Sequence, residues 1–157
     1  MAKVKSLAKT SEDIAKDLFK LLNVDATFET TQTEENGEKG VSMAIKSAEE
    51  AGLLIGSHGA TLHALESFLS MALKQKTGEW VRVTLDVDGW REKQDNYLRE
   101  LAIHAAERAR TTGEPQNLYN LNPSQRRTIH MYLKTEKGIA TESLGEGEGR
   151  YLIIKAS

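Results

Sequence analysis

Leu53-Leu54-Ile55-Gly56-Ser57-His58-Gly59-Ala60-Thr61-Leu62 carries the decision about the fold, because an apolar helical stretch breaks on a glycine pair and resumes at once. Two glycines three apart let a chain reverse sharply, and they leave main-chain N–H groups open to a close neighbour. Ahead of this loop, Ser47-Ala48-Glu49-Glu50 has the Ser-x-x-Glu form of a capping box and predicts a short helix through Ala51, Leu53, Leu54 and Ile55. Behind it, Leu62, Leu65, Phe68, Leu69, Ala72 and Leu73 form one apolar stripe, predicting a helix from about Ala60 to Lys74. A strand from Trp80 to Val87 follows, with Val81, Val83, Leu85 and Val87 on one face. Upstream, Val24 to Gln32 and the alternating Val41, Met43 and Ile45 read as a hairpin around Asn36-Gly37, with a loop longer than a two-residue turn. A first helix is expected from Thr10 or Ser11 to Asn23, burying Ile14, Leu18 and Leu22 with Ala15 and Phe19.

Asp88-Gly89 separates this half from a long helix, Trp90 to Thr111, on which Tyr97, Leu101 and Ala105 recur every four residues with Trp90 and Leu98 alongside. After a short extended piece, Gln116 to Leu121, Asn122-Pro123 is an N-cap followed by proline at the first helical position, opening a helix to Leu133. Ile139 to Ser143 and Arg150 to Lys155 read as a terminal hairpin across a glycine-rich turn. On the helix opened by Pro123, Arg126 and His130 are four apart and lie within about 40° of one another. An arginine fork beside an imidazole suits a phosphate. Two arginines and a histidine are also what any solvated helix face carries, but Arg127 and, from the hairpin, Arg150 extend the cluster to a basic patch.

Composition narrows the function. The chain has 157 residues, 39% hydrophobic and 28% charged, which is an ordinary globular balance. It has no apolar run of bilayer length and no signal-peptide core at Met1 to Lys9, so a cytoplasmic location without membrane insertion is expected. The absence of cysteine excludes disulfides, thiol catalysis and sulfur-bound zinc. Net charge is −2, but residues 1–88 carry 10 Lys and Arg against 14 Asp and Glu, whereas residues 89–157 carry 11 against 9. The basic potential therefore belongs to the second half. His58, His63, His104 and His130 show no His-x-x-x-His or His-Glu-x-x-His spacing, and there is no nucleophile elbow. A nuclease is the weaker alternative; no catalytic residue, metal or cofactor is expected.

Taken in order, Leu54-Ile55-Gly56 with Gly59 and Thr61-Leu62, Asp86-Val87-Asp88-Gly89-Trp90-Arg91, Asn122-Pro123 through Arg126-Arg127 to His130, and Thr141-Glu142-Ser143 with Gly145-Glu146 and Arg150 resemble the Jag family of bacterial SpoIIIJ-associated proteins. The resemblance covers roughly residue 20 to the end and is to a short form lacking the N-terminal Jag domain. It implies an α+β chain: an N-terminal helix (1–23) packed on a type II KH domain (24–88, a three-stranded sheet with helices on one face), then a small α/β Arg-x-x-x-His domain (89–157). It further implies a chaperone-like regulator that binds single-stranded RNA, acting post-transcriptionally or in cell-envelope and elongation control, with Gly56, Ser57, His58 and Gly59 matching the KH loop and Arg126 and His130 matching the second domain's motif. The expected partners are single-stranded RNA and a small single-KH protein or a second copy, the alternative being a KH-mediated dimerisation or interaction scaffold. In this family the middle of the loop usually carries Lys or Arg, where this chain has Ser57 and His58.

Overall fold

The computed structural model describes residues 6–47 and 49–157, so Met1 to Lys5 of the N-terminal segment and Ala48 of the Ser-x-x-Glu box lie outside the described residues. The chain is α+β and divides after Arg91 into two compact units. In the first unit, α1 (Leu7–Leu21), β1 (Thr27–Glu35), β2 (Glu38–Lys46), α2 (Ala51–Ile55), α3 (Ala60–Thr77) and β3 (Arg82–Val87) follow in order. The sheet runs β1-β2-β3, with β1 antiparallel and β3 parallel to β2. A parallel pair needs a crossover, and α2 with α3 supplies it. Val41, Met43, Ile45, Val83, Leu85 and Val87 are buried with α1 and α3 residues in one core, while Ala44, Lys46 and Arg82 on the alternate positions are exposed.

Local chemistry explains where the observed boundaries depart from the sequence reading. Helix α1 starts at Leu7, not at Thr10 or Ser11, because Ser6 caps it by accepting the Lys9 N–H at 3.2 Å. Ser11 is buried instead, its hydroxyl donating to the Leu7 carbonyl at 2.8 Å. Leu22 is 50% exposed rather than part of the apolar face. Asn23 takes a left-handed φ of 55°, and the Asn23 and Val24 N–H groups close back on the Lys20 and Phe19 carbonyls. This Schellman closure turns the chain so that Val24, not Leu22, joins Phe19 in the core. The hairpin loop is shorter than expected. Glu35 pairs with Glu38, leaving only Asn36 and Gly37 at φ 54° and 80°, the two positive values that a type I′ turn requires. Ser47 does accept the Glu50 N–H and donate to its carboxylate, but this closes a turn, and α2 begins only at Ala51.

On α3 the buried arc is Leu62, Leu65, Leu69, Ser70 and Leu73, and Phe68 lies outside it at 47% exposure. Ser70 and the half-buried Glu66 serve the outer edge of β3. The Val83 N–H donates to Ser70 Oγ at 3.1 Å and the Leu85 N–H to Glu66 Oε1 at 2.8 Å. Arg91 completes the cover, its Nε donating to the Leu85 carbonyl at 2.8 Å and its Nη2 to Glu66 Oε1. An edge that would otherwise offer free donors and acceptors to another strand is blunted by these side chains.

The second unit contains most of α4 (Trp90–Thr112), then β4 (Gln116–Leu118), α5 (Pro123–Leu133), β5 (Ile139–Leu144) and β6 (Tyr151–Ala156), with β6 between β4 and β5 and every pair antiparallel. Tyr97, expected on the buried face of α4, is 58% exposed. The buried face is Leu98, Ala102, Ala105, Ala106 and Ala109, mostly small side chains that share a core with Ile129, Leu133, Leu152 and Ile154. Across the helices, the Tyr132 hydroxyl donates to Asp95, a bond to a carboxylate that raises the phenol above its ordinary range.

Helix α5 is held at its start by a reciprocal box: Asn122 Oδ1 accepts the Gln125 N–H and Gln125 Oε1 accepts the Asn122 N–H, each at 2.9 Å, with Pro123 at the first position. Asn122→Ala removes one half of the box and is expected to destabilise the unit by about 1 kcal/mol. For a unit of this size that is a fall of roughly 4–8 °C in Tm, to be read by thermal denaturation.

Candidate nucleic-acid interface

Between α2 and α3 the chain passes through Gly56 (φ 71°, ψ −173°) into a single tight turn, Ser57–Gly59, in which His58 is left-handed at φ 50° and Gly59 at φ 79°. Both glycines are required locally. A Cβ on Gly56 would collide with Thr61 Oγ1 and lie 2.9 Å from the Thr61 nitrogen, and one on Gly59 would lie 2.5 Å from the Trp90 ring. Gly59 is buried, whereas Ser57 and His58 are exposed at the tip. The turn thus presents two side chains and holds its two glycines for steric reasons.

In the second unit Arg126, Arg127 and His130 on α5 line a cleft of about 460 Å³ with Thr141 and Ser143 of β5, Arg150, Leu152 of β6 and Pro123. Three residues of one helix and a fourth from the far side of the hairpin are therefore brought together as the basic patch. Each of three is anchored. Arg126 Nη1 donates to the Leu121 carbonyl and, at 3.5 Å, to the Arg150 carbonyl. His130 Nδ1 lies 2.5 Å from Thr141 Oγ1, and Arg150 Nε donates to Ser143 Oγ at 2.9 Å. Arg127 is exposed. Among the described residues, none that lines the cleft carries a carboxylate, so the guanidinium N–H groups not spent on these anchors face no acidic competitor there.

Sequence reasoning misses the anchors themselves. Thr141 and Ser143 sit two apart on β5, opposite Ile154 and Leu152 in the β5–β6 register. That alternation is the available signal once the hairpin is drawn. The carbonyls that seat Arg126 leave no trace in a sequence.

The model of the Arg-x-x-x-His domain, the domain named for an arginine and a histidine separated by three residues, matches residues 96–156. Proteins named RNA-binding protein KhpB are similar over more of the chain. The one from Clostridium symbiosum is 31% identical over 144 residues, 90% of this chain and 63% of the relative. The one from Bacillus subtilis is 39% identical over 108 residues, 68% of this chain and 52% of the relative. That of Streptococcus pneumoniae is 25% identical over 130 residues, 83% of this chain and 39% of the relative. The chain thus spans between about two fifths and just under two thirds of the length of these curated relatives. With an Arg-x-x-x-His domain match over the arginine and histidine cleft and relatives that align over most of its length, the chain carries an Arg-x-x-x-His domain and is similar to the proteins named KhpB, in keeping with the Jag-family resemblance of its sequence.

Proposed function

We propose that the chain binds single-stranded RNA without cleaving it, through the Arg126, Arg127, His130 and Arg150 cleft and through the Gly56–Gly59 loop. The carrying observation is the lining of the cleft, which among the described residues gathers three arginines and a histidine and no acid, in a protein whose net charge is −2. The printed name of the relatives supports RNA as the ligand. Residues 24–88 are read as a type II KH domain with 1–23 as a helix packed on it, and 89–157 as the Arg-x-x-x-His domain. A sheet of order β1-β2-β3 with a parallel β2–β3 pair, crossed by two helices around Gly-x-x-Gly, supports the first assignment. Among the described residues no helix is long and apolar enough to cross a membrane. The setting proposed is a bacterial cytoplasm, with the protein regulating transcripts after transcription or in envelope and elongation control.

A scaffold role for the first unit, paired with a small single-KH protein or a second copy, is favoured by Phe68 and Met71, 47% and 56% exposed and three apart on α3. The two roles are compatible, since the loop and these side chains occupy different parts of the unit.

The test is fluorescence anisotropy of a short labelled single-stranded RNA across a range of salt. Arg127→Ala should weaken binding and shrink the slope of log K against log salt by about 0.7, one phosphate's share for a single strand. Ser57→Lys should steepen it by about 0.7, because it adds a cation to the exposed tip of the loop. Unchanged slopes in both would move the RNA elsewhere, and defined cleavage of the probe in magnesium or manganese would overturn the non-catalytic reading.

A further inference from the structure

Tyr119 and Tyr151 stack on one another with ring centroids 5.0 Å apart and planes inclined by 33°. Tyr151 is half-buried, but Tyr119 is 58% exposed, so the outer ring of the pair keeps much of its surface in water. Two features hold it there. Asn117 Nδ2 donates to the Tyr119 hydroxyl at 3.3 Å, and Asn120 turns the chain immediately after it with a φ of 56°. A core-forming pair would cover both rings; this one leaves a ring available.

Its place in the fold gives the ring a ligand. Register pairs Leu118 of β4 with Leu152 of β6 and Leu144 of β5 with Tyr151, so the pair sits at the same end of the sheet as Ser143, Arg150 and Leu152 of the basic cleft, with Tyr151 on the opposite face, where a strand leaving the cleft around that end would meet it. Arg126 ties the two together: its Nη1 reaches the carbonyl of Leu121, two residues after Tyr119, and that of Arg150, immediately before Tyr151. One cation lining the cleft therefore also fixes both tyrosine-bearing segments. We infer that Tyr119 and Tyr151 form a stacking platform for one unpaired nucleobase of a strand whose phosphates lie in the arginine cleft. The inference rests on the nucleic-acid reading of that cleft and extends it from backbone to base. Aromatic rings beside a cationic track are how single strands are held with little sequence preference, since every base has a π-face.

The full chain is titrated with three labelled probes: a short single-stranded RNA, an abasic phosphodiester strand of equal charge, and the RNA in duplex form. Tyr119→Ala should lower affinity for the single strand roughly ten-fold, within the range of one base–aromatic stack, and leave its salt slope unchanged. It should leave the abasic strand and the duplex unaffected, because neither offers a free base. Tyr119→Phe keeps the ring and should bind within about two-fold of the parent. Asn117→Ala, which removes only the hydrogen bond to the phenol, controls for its loss. Parental single-strand affinity in Tyr119→Ala, or an equal loss with the abasic probe, would overturn the platform. If Arg127→Ala still shrinks the salt slope in that case, the cleft stands and only the platform falls. A parent chain that binds none of the probes overturns both.

Discussion

Gly59→Ala should destabilise the first unit by about 2–5 kcal/mol, the sum of roughly 1–2 for a side chain forced into the left-handed region and about 1–3 for overpacking a filled site. The conformational part arises from φ 79° at Gly59, and the packing part from the Trp90 ring 2.5 Å from the new methyl. Gly78 separates the two contributions. It ends α3 at the same φ of 79° with nothing within 4 Å of a Cβ, so Gly78→Ala should show the backbone penalty alone, about 1–2 kcal/mol. Trp90 packs against the first core, and Trp90→Leu on its own should also destabilise. Combined with Gly59→Ala it should cost less than the two changes added, because the shorter side chain vacates the space the methyl needs. Urea denaturation of the four variants measures this directly. Strict additivity would mean that the ring does not dictate glycine at position 59.

That relation between Gly59 and Trp90 marks a limit of what can be read without a structure. Glycines 56 and 59 announce themselves as a loop, and the flanking periodicities place it between two helices. But the reason for the second glycine lies 31 residues away, in a tryptophan that the sequence pattern assigns to a different helix. Element order is legible throughout because apolar spacing changes cleanly between period two and period 3.6. Boundaries are less so. Ser6, Thr10 and Ser11 are all competent caps, and only the packed face decides that Ser11 must be inside. The buried side of α4 is obscured for a related reason: four alanines carry little hydropathy, so the larger Tyr97 draws the stripe a position away from the true one. In the cleft, helical geometry alone pairs Arg126 with His130, and drawing the hairpin adds Arg150. The Glu66–Arg91 clamp spans 25 positions and belongs to no periodic pattern, so nothing local foretells it.

The same logic sharpens what to expect of Arg126, whose guanidinium is both an anchor and a wall of the cleft. Arg126→Ala removes the donor to the Leu121 and Arg150 carbonyls. Leu121 is only 9% exposed, so water has little access to restore the lost bond. Loss of a charged donor to a shielded acceptor should destabilise the second unit by about 1–3 kcal/mol. The variant should also weaken single-stranded RNA binding, with the salt slope falling by about 0.7 if one phosphate contact disappears. Arg127→Ala provides the contrast: Arg127 is exposed on the same helix, so its loss should change the slope by a similar amount and leave stability within about 0.5 kcal/mol of the parent. Arg126→Lys divides the two roles further. A lysine restores the positive charge but not the planar fork, so the salt slope should recover while stability remains below the parent's. Chemical denaturation together with salt-dependent anisotropy reads both quantities on the same three proteins. An Arg126→Ala variant with parental stability would dissolve the anchor. One that is destabilised but binds RNA with an unaltered slope would leave Arg126 as a support for the cleft and shift its phosphate contacts to Arg127 and Arg150.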